Sequence, residues 1–144
     1  MPSLFATLGT VAGATVDAVF SEGFYLEPLA PPEPTAGRVP DVNARPVAST
    51  ARSLLMFSGT YVAPGDLMNA HGRTKADSTT HPIVGEKAMV DVPVTGLPQR
   101  PREGDRIHRL DTGEVFGVAK VLPGDFGRLR IYLTDALRRP EEPR

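Results

Sequence analysis

The chain has 144 residues, of which 40% are hydrophobic and 23% are charged, and its formal net charge is −1. This length suits one domain with a modest core, and the charge balance argues against a protein that binds mainly by coating phosphates with lysine and arginine. The absence of cysteine excludes disulfides and thiolate metal sites, and 14 glycines with 15 prolines predict short elements and few long helices.

A helix is predicted over residues 4–19, with Ser3 as its N-cap. The residues close to helical spacing are Phe5, Leu8, Ala12, Val16 and Val19. Gly9 and Gly13 each cost about 1 kcal/mol relative to alanine in a helix interior, and Asp17 lies where the helix dipole disfavours a negative charge. We therefore expect this helix to need a docking surface, either on its own barrel or on a neighbouring subunit.

The first 16 residues do not have the pattern of a targeting segment. They contain no charged residue, so the positive start of a secretory signal is missing. The stretch is also too short and too rich in threonine to span a membrane. We expect a soluble protein made in the cytosol, with no membrane partner.

Two irregular segments interrupt the strands predicted in the first part of the chain. Residues 23–29 and 53–62 have strand composition, and Pro28 limits the first of them. Between them, five prolines in residues 31–46 predict an extended connector or arm on the surface. Residues 63–87 are predicted to be a loop long enough to require a functional or disorder explanation.

A meander of antiparallel strands is predicted over residues 88–137. Residues 88–94 alternate, with valines on one face, and Pro93 predicts an edge strand. Residues 104–110 and 114–122 form the next two strands, joined by a tight turn. The second of these has apolar residues on both faces, which is typical of a strand inside a barrel or sandwich.

The final strand, residues 128–133, alternates most cleanly. Its inward residues are predicted to be Leu129, Ile131 and Leu133, and its outward residues Arg128, Arg130 and Tyr132. A proline then predicts a flexible tail over residues 138–144. The fold class that follows is a single, mainly β domain over residues 1–144: a small antiparallel β-barrel or sandwich with an N-terminal helix and long loops.

Histidines and carboxylates are the remaining candidates for catalysis or metal binding. The residues that share the long loop are Asp66, His71, Asp77 and His81, and they could in principle hold a divalent metal. A solvated loop is the favoured interpretation because no HExxH spacing is present, and His108 is expected to be a surface residue on a strand. Phosphate-loop and GxSxG motifs are also absent. We therefore predict no catalytic residue, cofactor or metal, and a small hydrolase using the loop residues is the minor alternative.

The arginines near the C-terminus are candidate contacts. They could meet phosphate or an acidic partner surface, although the simpler interpretation is that they keep a strand soluble and protect an edge. With the polar residues of the long loop, the candidate protein or DNA contacts are Asp66, His71, Arg73, Lys75, His81, Arg128, Arg130, Arg138 and Arg139.

The stretch VDVPVTGL, followed by REGDRIHRLDTGEVFGVAKVLPGDFGRLRIYL, resembles the small head-tail joining proteins, also called head completion or stopper proteins, of long-tailed bacteriophages and gene transfer particles. In that family a strand precedes an R-x-GD motif, a hairpin with an aromatic residue, a V-x-P-[DG]-D turn and a closing strand. The matching residues here are Arg102, Gly104, Asp105, Phe116, Val121, Pro123, Gly124 and Asp125, then residues 129–133. The resemblance is close over residues 88–137. In the remainder of the chain only the order of elements is similar, namely an N-terminal helix, a strand and a long loop. The middle section is longer here than in the shortest family members.

The resemblance implies a structural virion protein of the phage neck, assembled in the host cytoplasm and without enzymatic activity. It implies a ring, expected to hold six copies, between the portal or adaptor and a tail terminator or tail tube protein, with non-specific DNA passing through its lumen. Residues 63–87 would contact the lumen or tail, residues 31–46 the neighbouring subunit, and residues 138–144 the adaptor or tail. The alternative within the same kind of particle is a tail terminator or another ring component.

Overall fold

The computed structural model describes residues 3–34, 36–39, 41–64 and 87–138, without the side chains of Asp135 and Arg138. The helices are α1 (Leu4–Phe20) and a short 3₁₀ turn (Val94–Gly96). The strands are β1 (Ser21–Glu27), β2 (Leu29–Ala30), β3 (Val47–Ala48), β4 (Leu55–Val62), β5 (Met89–Pro93), β6 (Arg106–Arg109), β7 (Val115–Pro123) and β8 (Arg128–Arg138).

Six strands close into an antiparallel barrel in the order β1-β4-β5-β8-β7-β6, and β6 pairs back onto β1. The mainly β fold with an N-terminal helix is confirmed, and of the two predicted architectures the barrel is the one present. Among the described residues, the two short strands β2 and β3 pair separately from the barrel. No described helix is long and apolar enough to cross a membrane.

The barrel interior is filled by apolar side chains from every strand. The predicted inward set of β8 is confirmed, because Leu129, Ile131 and Leu133 are all buried. Phe24 and Phe57 stack across β1 and β4 with ring centroids 5.5 Å apart. Burying a side chain of this size contributes roughly 1.5–3 kcal/mol, so this filled interior is the main source of stability.

The prediction that Pro93 marks an edge strand is wrong. Strand β5 pairs with β4 on one side and with β8 on the other. The proline is tolerated because pairing with β4 ends at Asp91, which faces Thr60. The next amide, that of Val94, donates to Gly127 on the β8 side. Successive amides of a strand point to opposite sides, so an amide at position 93 would point towards β4, past the last paired residue. The lack of an amide hydrogen on Pro93 therefore breaks no hydrogen bond with β4.

The last strand is longer than predicted, and the tail begins later. Strand β8 continues to Arg138, whose backbone pairs with Val115 of β7. Irregularities in the β7–β8 register accommodate this length, since bulges allow a strand to bend and remain paired. Arg138 is therefore part of the barrel wall, while residues 139–144 lie outside the described residues.

The middle of the chain leaves the barrel and returns to it. Residues 31–34, 36–39 and 41–46 contain no helix or strand, and strands β2 and β3 pair at the base of this arm. Val39 and Val42 in the arm are 90% and 94% exposed. Most of the predicted loop, residues 65–86, lies outside the described residues, and so do the candidates Asp66, His71, Arg73, Lys75, Asp77 and His81.

Candidate interaction surface

Helix α1 has a stripe of residues with two glycines, and its large apolar side chains are exposed. It begins at Leu4 because Ser3 accepts a hydrogen bond from the amide of Ala6 at 3.1 Å. At 3.6 residues per turn, Gly9, Gly13 and Asp17 lie on one face. The helix runs directly into β1 at Ser21 without an intervening loop.

The face with the glycines is the one that packs on the barrel. A Cβ atom added at Gly9 would overlap the ring of Phe126, and one added at Gly13 would lie 3.1 Å from Nη1 of Arg128. The two glycines therefore let the helix backbone approach the turn between β7 and β8. Their cost in helix propensity is offset by this close approach.

Arg128 anchors the helix to the barrel. Its Nη1 and Nη2 each donate to an Asp17 carboxylate oxygen at 2.7 Å, and its Nε donates to Asp91 at 2.9 Å. The bond to Asp17 raises the pKa of Arg128 and, in return, lowers the pKa of Asp17. The unfavourable position of Asp17 in the helix dipole is thus compensated by a bidentate ion pair.

The structure gives Arg128 an internal role instead of the edge protection considered above. That interpretation is wrong for β8, because a closed barrel has no edge at this strand. Of the two arginines Arg128 and Arg130, Arg130 is the accessible one, and its guanidinium lies 3.9 Å from the carboxylate of Asp125. It lines an open groove of about 230 Å³ between α1 and β8, and it stays a candidate contact.

Docking of α1 should weaken in acid. The ion pair holds the pKa of Asp17 below its ordinary value in the folded state. The unfolded state, in which an aspartate has a pKa of about 3.9, therefore binds a proton at Asp17 more tightly than the folded state does. The stabilisation is present above that unfolded value and is lost as the pH falls through the lowered, folded pKa. The measurement is the free energy of unfolding in urea from pH 7 to pH 2.5, for the wild type and Asp17→Asn.

We expect the wild type to be more stable than Asp17→Asn at pH 7, and we expect this difference to shrink in acid. Asp125→Asn is the matched control, because this carboxylate is exposed and 3.9 Å from its nearest cation. A difference between wild type and Asp17→Asn that stays constant or grows as the pH falls would contradict the proposed anchor.

The face of α1 that points away from the barrel is apolar and exposed. We define the outer face of α1 as Leu4, Leu8, Val11 and Val19, which are 56–71% exposed. The only charged residue of the helix is Asp17, and Arg128 already pairs with it. The outer face is therefore an uncharged surface of large side chains, which is unusual on a helix in contact with water.

An ion-pair network closes the barrel interior at Asp105. This carboxylate is 1% exposed and binds both terminal nitrogens of Arg52, at 2.8 and 2.9 Å. It also accepts hydrogen bonds from the amides of Leu29 and Arg102, at 3.1 and 2.9 Å. Gly104, at φ +89°, makes the turn before it. Because Leu29 precedes the arm and Arg52 follows it, Asp105 holds both ends of the arm together.

A second network closes the opposite end of β6. Arg109 donates to both oxygens of Glu22 at 2.6 and 2.9 Å and to Glu114 at 3.1 Å. Its guanidinium also lies 4.1 Å from the ring centroid of Tyr61. Burial, followed by the negative charge of Glu114, raises the pKa of Tyr61. Ile107, midway between the two networks, is fully buried, so each network covers one end of the apolar core.

His108 lies on β6, as predicted, but it is not a freely solvated surface residue. Its Nε2 is 2.9 Å from Glu27, and its ring stacks on Tyr25 with centroids 3.9 Å apart. Within the described residues, no group of three or more His, Asp or Glu side chains could hold a metal ion. His108 is thus part of the outer barrel wall.

Comparison with known proteins identifies no relative. Neither a protein-family model nor a curated protein matches this sequence.

Proposed function

We propose that this chain is a structural protein of a bacteriophage neck. In this role it forms a ring between the portal or adaptor and the tail, closes the DNA-filled head and provides the platform to which the tail attaches. It performs no catalysis. The observation that carries the proposal is the outer face of α1, an uncharged apolar surface attached to a filled barrel.

The outer face of α1 supports a role in protein contacts. Soluble monomers rarely expose a contiguous apolar patch larger than a few hundred Å². Here the large apolar side chains of α1 are exposed and the glycines face the barrel, which is the reverse of a helix that stabilises its own core. A surface of this kind suits a subunit that completes its packing in an assembly.

The barrel supports the role of a rigid platform. Its interior is filled by apolar side chains, and ion-pair networks around Asp105 and Arg109 cover the two ends. A closed barrel has no free edge among its own strands. Contacts would then come from the attached segments, namely α1 and the arm, whose ends are fixed by Asp105.

The motif resemblance supplies the specific assembly. We infer a virion location, with neighbouring copies in a ring of six, a portal or adaptor protein on one side and a tail terminator or tail tube protein on the other. Arg130 is the described candidate for a non-specific DNA or protein contact, because its guanidinium is half-exposed on the outer wall. The arm would reach the neighbouring subunit through Val39 and Val42.

Deleting the gene in a producer strain tests the proposal, with electron microscopy of the lysate as the measurement. We expect DNA-filled heads beside complete but unattached tails, and restoration of infectious particles by a plasmid copy of the wild-type gene. Normal particles in the deletion strain would contradict a neck role. Tails of uncontrolled length would contradict head closure and indicate a tail terminator instead.

A further inference from the structure

Most of the outer face of α1 belongs to a row of residues, here called the seam, with the spacing of a helix that packs along another helix. Leu4, Leu8, Val11, Thr15 and Ala18 follow one another at alternating intervals of four and three residues. This is the average 3.5-residue repeat of a helix-packing seam. Thr15 donates its hydroxyl to the carbonyl of Val11 at 2.9 Å, so its polar atom is satisfied within the helix and could be buried without a partner.

A second copy of this chain fits the seam in charge and shape. In the described residues, α1 is the one helix longer than three residues, so a copy of α1 is the helical partner that the chain itself offers. The seam carries no charge, and two identical seams would therefore meet without like-charge repulsion. The seam runs from larger residues, Leu4 and Leu8, to smaller ones, Thr15 and Ala18, so an antiparallel pair would place the large residues of one copy opposite the small residues of the other.

The available area is close to what a stable contact needs. Four side chains at 56–71% exposure amount to apolar surface on the order of 500 Å² per copy. A standard protein interface buries about 800 Å² per partner. With Thr15 and Ala18 included, pairing of two α1 helices falls at the lower end of the range of standard interfaces.

We propose that the outer face of α1 packs against the same face of α1 in a second copy of this chain. The inference goes beyond the proposed function, because packing of one face on the same face of a second copy is a two-fold contact, separate from the contacts that close a cyclic ring. It rests on the proposed function only in treating α1 as a protein-binding element, and it does not depend on the phage neck. Because it concerns the purified chain, its test is separate from the microscopy of deletion lysates.

Sedimentation velocity of the purified full-length protein, from about 1 to 200 μM, is the first test, since micromolar pairing would be half complete within this range. We expect the wild type to associate and Leu8→Glu to weaken association at least 100-fold, because pairing would bury an unpaired carboxylate. Thr7→Glu is the matched control: it adds the same charge one residue away, at an exposed position outside the seam, and should change association less than threefold. Both positions are exposed, so both variants should unfold at the wild-type temperature.

Crosslinking then identifies the contact, because the chain contains no cysteine. Val11 is the midpoint of the seam, so it should face its own equivalent whether the helices run parallel or antiparallel. We expect Val11→Cys to form a disulfide-linked dimer under mild oxidation, since the required Cα separation is about 4.4–6.8 Å. Ala14→Cys, exposed but off the seam, should remain mostly without a crosslink.

Three outcomes would overturn the inference. The wild type could be monomeric at every concentration, or its association could be unaffected by Leu8→Glu. Association could also be lost in Leu8→Glu while Val11→Cys fails to crosslink, which would mean that the seam contacts something other than α1. A monomeric protein whose deletion still blocks tail attachment would overturn the pairing alone, and a paired protein whose deletion leaves particles normal would overturn the neck role alone.

Discussion

Replacing Asp105 with alanine is expected to lower the free energy of unfolding by about 3–5 kcal/mol. The carboxylate is 1% exposed and satisfies four donors: two nitrogens of Arg52 and the amides of Leu29 and Arg102. Its removal leaves two amides with no acceptor and leaves the guanidinium of Arg52 with only the carbonyl of Arg100 as a partner, in a largely buried site. Unpaired buried donors cost more than the net value of the bonds themselves, which is why a single truncation has so large an effect.

Urea unfolding of Asp105→Ala measures this loss. Asp125→Ala is the control, because that side chain is 83% exposed and 3.9 Å from Arg130, and an exposed pair contributes about 0–1 kcal/mol. Combining Asp105→Ala with Arg52→Ala should cost less than the sum of the two single variants, since the double variant contains no orphaned charge. Equal losses for Asp105→Ala and Asp125→Ala would show that Asp105 is not the central acceptor described here.

Local patterns in the sequence predicted much of the barrel. Alternation in β8 identified Leu129, Ile131 and Leu133 as inward residues, and Ser3 marked the start of α1, because both features depend on neighbours within a few residues. Pro93 misled for the same reason. Its effect on pairing depends on where the pairing of β5 with β4 stops, and that point is set by Thr60, more than thirty residues earlier in the chain, so it has no local signature.

The ion pairs could not be predicted, because their partners are distant in sequence. Arg128 and Asp17 are separated by 111 residues, and Arg52 and Asp105 by 53. Periodicity places a side chain on a face, but it does not identify the residue opposite. Arg128 therefore had the pattern of an exposed contact residue until the fold placed Asp17 beside it.

The orientation of α1 shows a second limit of periodicity. Apolar spacing identified an apolar stripe, and a stripe ordinarily packs on the protein's own core. Here the barrel is already filled, and Gly9 and Gly13 face it instead. The four-residue spacing of the two glycines was the available signal, since small residues at this interval permit close approach of a helix backbone, but without the barrel it could not be distinguished from a simple weakness of the helix.

Replacing Arg109 with alanine is expected to lower the free energy of unfolding by about 2–4 kcal/mol, the second large effect. The guanidinium binds both oxygens of Glu22 and one of Glu114 while lying over the ring of Tyr61. Without it, two carboxylates face each other at the end of the core with no cation between them, and the cation–π contact is lost as well. These effects act together because all four side chains share one partly buried site.

Arg106→Ala separates this effect from the general loss of an arginine on β6. Arg106 is 42% exposed and 4.0 Å from Glu27, whereas Arg109 is 19% exposed, so the control should lose less than about 1 kcal/mol.

A second readout is the ionisation of Tyr61. Arg109 acts to lower the pKa of this phenol against burial and Glu114, so in Arg109→Ala it should ionise at a higher pH than in the wild type, as measured by ultraviolet absorbance. Equal stability losses for the two variants, or a Tyr61 titration that moves to lower pH, would contradict an Arg109 network that covers this end of the barrel.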